Sequence, residues 1–398
     1  MMKYSVKNLL LTACAVVALG SCTVEGSVTI NTDDYEYVQY LGFQSKKDSL
    51  WGLMNLDGEV LVKPTFKNEP LDVTQDRFFV QNADSLWELY SAEPEPKRIG
   101  NDQYVSVGAF QYGLCPVSKP HEGLMYINVN GEKVIDMATL DSKEVLAAFN
   151  FFDERARVQT TDGYQGIIDK QGTIIVKPEY DEVSNYRNGK AFVYKPLKPG
   201  QDKGEQEWAV IDTEGNELFS STMGQMYPIL DRFEDNGLAI VKTNGDEDKT
   251  YALIDETGEI VRNLTMDGVH DMRGDYIVFT MGNKYGMMNT DGEMLIKPSF
   301  DWVATSGGII VASIDKAGQY LLFDQNAQEV KTLEGTEATV FGGFVIGHDK
   351  RFRLVQDNTD RLYDENGLQI ATDADTEGFT QMEGNLAAYA TSDKANAN

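Results

Sequence analysis

Cysteine is scarce in this 398-residue chain, which contains three cysteines in all. Cys14 and Cys22 lie close to the N-terminus, so Cys115 is the single thiol in the remaining sequence. One thiol cannot form an internal disulfide, and the fold must therefore be stable without such bridges. Cys115 stands in the apolar segment GLCPV (113–117), which favours a small core residue over a reactive thiol.

Histidines and catalytic motifs are also few. The three histidines, His121, His270 and His348, lie far apart in sequence. His121-Glu122 begins like a zinc hydrolase motif but lacks the second histidine that the metal needs. The sequence also lacks a glycine-rich phosphate loop and a Gly-x-Ser-x-Gly nucleophile turn. We therefore predict no metal, no cofactor and no catalytic residues, and we expect that the chain is not an enzyme.

Basic residues are outnumbered: 35 Lys and Arg stand against 63 Asp and Glu, which gives a formal net charge of −28. A surface this acidic repels the phosphates of nucleic acids and the headgroups of anionic lipids. We therefore predict that the chain has no nucleic-acid partner. Aromatic residues make up 10% of the sequence, which is too many for a disordered acidic chain.

Apolar runs long enough to span a bilayer, about 20 residues, are missing. The eleven residues LLLTACAVVAL (9–19) follow Lys3 and Lys7, as in the apolar region of a secretory signal. The run ends in LGSC (19–22), which resembles a bacterial lipobox, and we predict that Cys22 is lipidated. An ordinary signal peptide with an incidental Cys22 is the alternative.

This N-terminal pattern predicts the organisation and location of the chain. We assign residues 1–21 to a lipoprotein signal peptide, 22–37 to a tether, 38–391 to the folded domain and 392–398 to a C-terminal tail. Thr23 follows the cysteine, where inner-membrane lipoproteins of Gram-negative bacteria tend to have Asp. We therefore expect a lipid-anchored protein of the cell envelope, at the outer membrane and facing either the periplasm or the surface.

The folded domain consists of internal repeats. Three segments are close copies: WGLMNLDGEVLVKPTF (51–66), YQGIIDKQGTIIVKPEY (164–180) and KYGMMNTDGEMLIKPSF (284–300). Six further segments match the same repeat pattern more loosely: 85–99, 123–135, 208–219, 251–261, 320–330 and 361–371. No linker rich in Pro, Ser or Gly separates the copies, so we predict one continuous repeat domain.

The sequence of each repeat predicts a tight β-hairpin. Two short runs of β-branched and aromatic residues flank an Asp/Asn-x-x-Gly segment. The acidic or amide side chain can accept hydrogen bonds from backbone N–H groups, and the glycine can adopt a positive φ. The predicted turn residues are Gly58, Asp169, Gly172, Asp212, Gly215, Asp255, Gly258, Gly292, Asp324, Asp364 and Gly367. Ala327 replaces the glycine once, so we expect that turn to be strained or differently shaped.

A third strand precedes each hairpin and a fourth follows several of them, so about 40 residues supply one four-stranded unit, the size of a propeller blade. We predict an all-β fold of tandem β-hairpin repeats that form a propeller-like ring of about seven to nine short blades. Ten candidate preceding strands accompany nine hairpins, as expected if the two chain ends share a blade. An open β-solenoid is the alternative. The single candidate helix is DSKEVLAAFNFF (141–152).

The repeat pattern resembles that of the bacterial WG-repeat family, also called KWG repeats. Trp51-Gly52 carries the signature pair, and Gly166 and Gly286 keep the glycine. An aromatic residue occupies the tryptophan position in four other copies, at Trp208, Tyr251, Tyr285 and Tyr320. The resemblance implies a binding or scaffold role in the cell envelope.

Aromatic residues could also form a ligand surface. We expect those in the tryptophan position to pack between neighbouring sheets, because burying an aromatic ring stabilises each interface. A sugar-stacking surface is the alternative. Trp87 and Trp302 are less tied to the repeat and are our candidate ligand-face aromatics.

One acidic segment has the oxygen spacing of a calcium loop. Asn244, Asp246 and Asp248 alternate as such ligands do, but Lys249 stands where the loop needs glycine. We therefore favour a solvated acidic loop.

These patterns favour a non-catalytic extracytoplasmic lipoprotein that recognises a protein, peptide or glycan. Two alternatives remain: a glycan-active propeller enzyme, either hydrolase or lyase, and a purely structural envelope component. A pocket with two carboxylates roughly 5–10 Å apart would favour the enzyme, whereas a shallow face lined by aromatics would favour binding.

Overall fold

The computed structural model describes residues 40–45, 47–55, 59–200, 205–221, 226–243, 250–306, 309–314, 318–324, 326–340, 351–357, 359–372, 376–380 and 387–389. All of them belong to the second of two compact units of the chain, Tyr35–Asn398. The predicted lipidation site Cys22, the turn glycine Gly58, His348 and the acidic loop at 244–249 lie outside the described residues. So do the signal peptide, the predicted tether and the predicted tail.

The described residues form 36 β-strands and no α-helix, which confirms the all-β prediction. The first half of the chain contributes sixteen of these strands. They are β1 (Tyr40–Ser45), β2 (Trp51–Asn55), β3 (Val60–Phe66), β4 (Arg77–Gln81), β5 (Trp87–Ser91), β6 (Ser106–Val107), β7 (Leu114–Lys119), β8 (Gly123–Asn128), β9 (Lys133–Asp136), β10 (Thr139–Leu140), β11 (Lys143–Phe152), β12 (Arg155–Thr160), β13 (Gln165–Asp169), β14 (Ile174–Tyr180), β15 (Glu182–Val183) and β16 (Lys190–Tyr194).

The second half contributes the remaining twenty strands. They are β17 (Trp208–Asp212), β18 (Glu217–Ser221), β19 (Met226–Pro228), β20 (Ala239–Thr243), β21 (Thr250–Ile254), β22 (Ile260–Thr265), β23 (Gly268–Arg273), β24 (Tyr276–Met281), β25 (Lys284–Asn289), β26 (Met294–Phe300), β27 (Trp302–Ser306), β28 (Ile309–Ser313), β29 (Gly318–Phe323), β30 (Glu329–Gly335), β31 (Glu337–Val340), β32 (Arg351–Gln356), β33 (Thr359–Asp364), β34 (Gln369–Thr372), β35 (Thr376–Thr380) and β36 (Ala387–Tyr389).

The strands form nine antiparallel sheets, numbered here in chain order. Sheet 1 has the order β3-β2-β1-β35, sheet 2 is β4-β5 and sheet 3 is β6-β7-β8-β9. Sheet 4 contains β10 to β14 together with β36. Sheets 5 to 9 each take four consecutive strands, from β15–β18 through to β31–β34. Eight sheets thus have four or more strands and are the full blades of a β-propeller, while sheet 2 is a short, two-stranded sheet.

The ring closes between the two ends of the domain. β35, near the C-terminus, pairs antiparallel with β1, and Phe379 lies opposite Phe43. The two chain ends thus share a blade, as predicted, but the leftover candidate strand at residues 385–391 overlaps β36, which pairs with β11 in sheet 4. The strand that completes sheet 1 is β35, which the sequence pattern did not indicate. This pairing favours the propeller over the open solenoid, because it joins the last described repeat to the first.

Apolar side chains fill the space between successive sheets. Each of the eight interfaces from sheet 1 to sheet 9 contains its own buried cluster. Between sheets 5 and 6, for example, Phe192 stacks on Phe233 at a ring-centroid distance of 5.4 Å. Successive residues of one strand serve opposite interfaces, since Phe78 faces sheet 1 and Phe79 faces sheet 3. No single sheet can bury both of its faces alone, so the repeats stabilise one another.

The prediction of a helix at residues 141–152 is wrong, because this segment forms strand β11. Val145 and Ala148 lie opposite Thr160 and Val158 of β12, with two irregularities in the register. Ala147 also pairs with Tyr389 of β36, more than two hundred residues away. The helix-forming composition of the segment is overridden by sheet pairing on both edges, which local sequence does not reveal.

Candidate functional site

The predicted turn residues share one hydrogen-bonding pattern. At Asp169, the side-chain Oδ1 accepts hydrogen bonds from the N–H groups of Gln171 at 2.9 Å and Thr173 at 2.8 Å. The N–H of Gly172 donates to the Asp169 carbonyl oxygen, and Gly172 has a φ of +80°. Asp212, Asp255, Asp324 and Asp364 bind the equivalent N–H groups in their own turns, and Gly215, Gly258, Gly292 and Gly367 also have positive φ. In all of these turns the carboxylates are engaged by their own backbone.

The Ala327 turn has the same shape as the others. Its N–H donates to the Asp324 carbonyl oxygen at 2.9 Å, and its φ is +59°. A left-handed alanine is strained because its Cβ crowds the following carbonyl oxygen. The turn geometry is therefore kept at the cost of local strain.

The glycine of the WG pair lies under a bulge in the outer strand. Trp51 pairs with Phe66 and Leu53 pairs with Val62, so Lys63-Pro64-Thr65 together stand opposite Gly52 alone. A Cβ on Gly52 would lie 2.5 Å from the Val62 carbonyl oxygen. Gly166 and Gly286 have the same arrangement, with distances of 2.7 Å and 2.8 Å to the corresponding carbonyl oxygens. The glycine and the Lys-Pro segment are therefore parts of one structural unit.

The aromatic residues of the tryptophan position are core residues to different degrees. Trp208, Tyr251 and Tyr320 are buried, whereas Trp51 and Tyr285 are half-buried. The Trp208 indole N–H donates to the Met226 carbonyl oxygen of the next sheet at 2.8 Å. These contacts tie neighbouring sheets together.

Among the described residues, one network of charges joins a loop of sheet 5, a loop of sheet 6 and strand β23 of sheet 7. Glu234 is 3% exposed and binds Arg232 at 2.6 Å and Arg187 at 3.2 Å. Arg232 also binds Asp271 at 2.9 Å, and Asp271 binds Arg273 at 3.0 Å. Sequence reasoning missed this network because the pairs that join different sheets, Arg187–Glu234 and Arg232–Asp271, are 47 and 39 residues apart along the chain. Its cross-sheet pairing points to an architectural role.

A cleft opens between sheet 1 and the short sheet 2, and we name it the Glu88 cleft. It encloses about 440 Å³ and is lined by residues 65–68, 80–83, 85, 88 and 90. Phe66 and Tyr90 form its aromatic side, with ring centroids 5.1 Å apart in an edge-to-face arrangement. The amides of Asn68, Gln81 and Asn82 form its polar side. The volume and the mixture of aromatic and polar groups suit a small ligand.

Glu88 is held rigidly at the cleft by four donors. Its Oε1 accepts hydrogen bonds from Asn82 at 3.0 Å and Gln103 at 2.9 Å and forms an ion pair with Arg98 at 3.2 Å. Its Oε2 accepts the Tyr90 hydroxyl at 3.1 Å. Partial burial acts to raise the pKa of Glu88, but the hydrogen bonds and the Arg98 charge outweigh it and lower the pKa. Glu88 is therefore an ionised acceptor at neutral pH.

The two predicted ligand-face tryptophans are placed differently. Trp87 is 9% exposed and packs in the core between sheets 2 and 3. Its neighbours Glu88 and Tyr90 lie on the opposite face of β5, which borders the cleft. Trp302 is half-buried and packs edge-to-face on Tyr320 at 5.8 Å. The structure thus does not bring the two tryptophans together, and the rings at the cleft are Phe66 and Tyr90.

Two further predicted features concern cysteine and metals. Cys115 is fully buried, as predicted, and its burial raises the pKa of the thiol. Among the described residues, no group of three or more His, Cys, Asp or Glu side chains is arranged to hold a metal ion. That part of the chain also includes no helix of a length and hydrophobicity that would cross a membrane.

The repeat signature matches a known family at three places. The model of the WG-containing repeat family matches residues 51–68, 166–195 and 285–316. The chain carries WG-containing repeats. This confirms the resemblance predicted from the sequence, and the first strand pair of each match contains one of the glycines covered by a Lys-Pro bulge. No curated protein sequence matches the chain.

One solved structure shares the fold of this chain. The crystal structure of a eukaryotic initiation factor is 12% identical, with a TM-score of 0.57, and the match covers 89% of this chain and 98% of that one. This likeness shows a shared fold and no more. BamB from Moraxella catarrhalis also matches, at 12% identity and a TM-score of 0.39, over 79% of this chain and 94% of its own. At that TM-score the likeness carries no conclusion about function.

Proposed function

We propose that this WG-repeat propeller is a non-catalytic binding and scaffold lipoprotein of the cell envelope. Its repeat fold suggests a binding or scaffold module. In this proposal Cys22 carries the lipid anchor, and the acyl group is the membrane contact because the acidic domain is repelled by anionic lipids. The domain recognises a protein, peptide or glycan. The anchor would hold the binding surface near envelope partners and raise its local concentration there.

The observation that carries the proposal is the chemistry of the Glu88 cleft. Among the described residues, Glu88 is the single carboxylate in the cleft lining. Glycoside hydrolysis generally uses two carboxylates, one of which acts as an acid with a raised pKa. The pKa of Glu88 is instead lowered by its four partners. An ionised, immobilised carboxylate suits recognition of a ligand better than proton transfer to it.

Affinity capture tests the binding role. The lipidated protein, isolated from cell envelopes after mild cross-linking, should carry a defined partner identifiable by mass spectrometry. A Cys22→Ala variant is the matched control, because it keeps the whole repeat domain and loses the predicted acylation site. Recovery of no partner, together with turnover of glycans by the purified domain, would contradict the proposal.

Inhibition of lipoprotein signal processing tests the anchor separately. Globomycin blocks cleavage before the lipidated cysteine, so treated cells should accumulate a precursor that retains residues 1–21. The same treatment should leave the Cys22→Ala variant unchanged. Normal processing of the wild-type chain under globomycin would show that Cys22 is not a lipoprotein cysteine.

A further inference from the structure

We infer that the Glu88 cleft is a binding site for a neutral saccharide. This inference rests on the proposed binding function and names a ligand class for it. The first observation that supports it is the charge of the residues that line the cleft. Among the described lining residues, Lys67 is the one cation and Glu88 the one anion, and the other nine are uncharged. A lining without net charge favours an uncharged ligand over a phosphate or an ammonium group.

The charged groups near the cleft are also largely satisfied by the protein. Arg98 neutralises Glu88 at 3.2 Å, so the carboxylate has little remaining attraction for a cation. Lys67 is exposed to solvent, where its charge is screened. Glu88 therefore acts mainly as a hydrogen-bond acceptor and Lys67 mainly as a donor at the rim.

The polar side of the cleft offers hydrogen-bond acceptors and donors. Glu88 Oε2 accepts one hydrogen bond, from Tyr90, although a carboxylate oxygen can accept two. The amide N–H groups of Asn68 and Gln81 are engaged with the carbonyl oxygens of Gln81 and Ser85, at 2.8 Å and 3.4 Å. Each amide keeps its oxygen as an acceptor and its second N–H as a donor. Ligand hydroxyl groups can donate to all three oxygens.

The aromatic side supplies the second requirement of a sugar site. Phe66 and Tyr90 are both half-buried, and Val80 lies beside them in the lining. The Phe66 ring is held by Phe78 at 5.6 Å and by Tyr90 at 5.1 Å, so its position is fixed before a ligand arrives. A sugar ring has an apolar C–H face and hydroxyl edges, which match these rings and the acceptors opposite them.

Hydrogen bonds within the short sheet 2 also fix the position of the polar groups that line the cleft. The cleft borders sheet 2, which has two strands where the full blades have four or more. Residues 82–85 form the turn between β4 and β5, and Asn82 Oδ1 accepts the N–H groups of Asp84 and Leu86 at 2.9 Å and 3.1 Å. The Asn82 amide N–H then reaches Glu88 at 3.0 Å. The turn and the carboxylate are thus fixed to each other.

Saturation-transfer difference NMR on the purified domain tests the inference. The probes are neutral malto-, cello-, xylo- and manno-oligosaccharides, with blocked, uncharged tripeptides as the other ligand class. We expect at least one oligosaccharide series to receive saturation on its ring protons. Asn68→Ala should weaken that binding about tenfold, as expected for one lost hydrogen bond to a ligand. Asn216→Ala is the matched control, since Asn216 is also exposed but lies in the turn of sheet 5.

A second variant keeps the test decisive if Asn68→Ala disturbs the fold. Glu88→Gln keeps the side-chain shape and removes the charge, and thermal unfolding reports whether the variant is folded. Folded Glu88→Gln protein should also bind the oligosaccharide more weakly. Binding of the peptides alone, binding unaffected by both variants, or no binding of any oligosaccharide would each overturn the inference. If a partner is still captured from envelopes in that case, the proposed binding function stands and the saccharide assignment alone fails.

Discussion

The blades differ at one position of the repeat, and the difference explains the family signature. In sheets 1, 4 and 7 the second residue of the signature strand is Gly52, Gly166 or Gly286, and three residues of the outer strand bulge over it. In sheets 5 and 6 the same position is Ala209 or Ala252, and the outer strand pairs there without interruption. Glycine is thus present where the Lys-Pro bulge requires it and absent where the ladder is regular.

A second bulge is common to both kinds of blade. It lies beside the Asp/Asn-x-x-Gly turn, where one extra residue of the outer strand interrupts the register in sheets 4, 5 and 6 alike. The turn therefore defines the hairpin, and the Lys-Pro bulge is an addition carried by some hairpins. This distinction separates the residues that make a blade from those that make a WG repeat.

The largest effect should come from breaking the bulged arrangement. Gly166→Ala would place a Cβ 2.7 Å from the Val176 carbonyl oxygen and 2.9 Å from the Pro178 nitrogen, both backbone atoms. Relief requires movement of the outer strand, so we expect a loss of about 2–4 kcal/mol in the free energy of unfolding. Chemical denaturation measures it.

The reciprocal change in a regular blade is the control. Ala209→Gly removes one buried methyl group and adds backbone freedom, which together cost about 1–2 kcal/mol. If Gly166→Ala were no more costly than Ala209→Gly, the bulge would not explain the glycine.

An intermediate effect of opposite sign is expected at the exceptional turn. Ala327→Gly relieves a left-handed alanine with a φ of +59° while keeping the turn hydrogen bonds. The relief exceeds the entropic cost of glycine, so the domain should gain about 0.5–1 kcal/mol. Gly172→Ala, the reverse change in a turn with a φ of +80°, should be destabilising. Both variants can be compared by thermal unfolding, and a loss of stability in Ala327→Gly would contradict the strain argument.

The hairpins and their turns follow from the sequence because they depend on local chemistry. Closure of the ring was expected from the number of repeats, but the strand that closes it, β35, was not identified. The Glu88 cleft does not follow from the sequence, because residues 65–68 and 80–90 meet only when two repeats pack side by side. The prediction that Trp87 lines a ligand face identified the correct strand, β5, but Trp87 lies on the opposite face of that strand. The alternation of side chains along β5 buries Trp87 and Leu89 on one side and turns Glu88 and Tyr90 to the other. The register that decides between the faces is set by tertiary packing.

The smallest effect concerns the charge of the turn residue, which is Asp255 in sheet 6 and Asn289 in sheet 7. The Thr257 hydroxyl, with the N–H groups of Thr257 and Glu259, lowers the pKa of Asp255. A carboxyl whose pKa is lowered by folding adds stability above its unfolded pKa, near pH 4, and loses it as the pH falls through the folded value. Asp255→Asn should therefore reduce stability slightly at pH 7 and hardly at all near pH 3.

The reciprocal variant, Asn289→Asp, tests the same comparison in sheet 7. Asn289 Oδ1 accepts the Glu293 N–H at 2.7 Å and the Asn289 amide N–H donates to Glu293 Oε2 at 3.0 Å, so the turn residue of sheet 7 is itself uncharged. Asn289→Asp should introduce the pH dependence that Asp255→Asn removes. Denaturation midpoints measured between pH 3 and pH 7 would show two curves that diverge from wild type in opposite directions. Parallel curves for both variants would mean that the charge of the turn residue contributes nothing and that the oxygen alone shapes the hairpin.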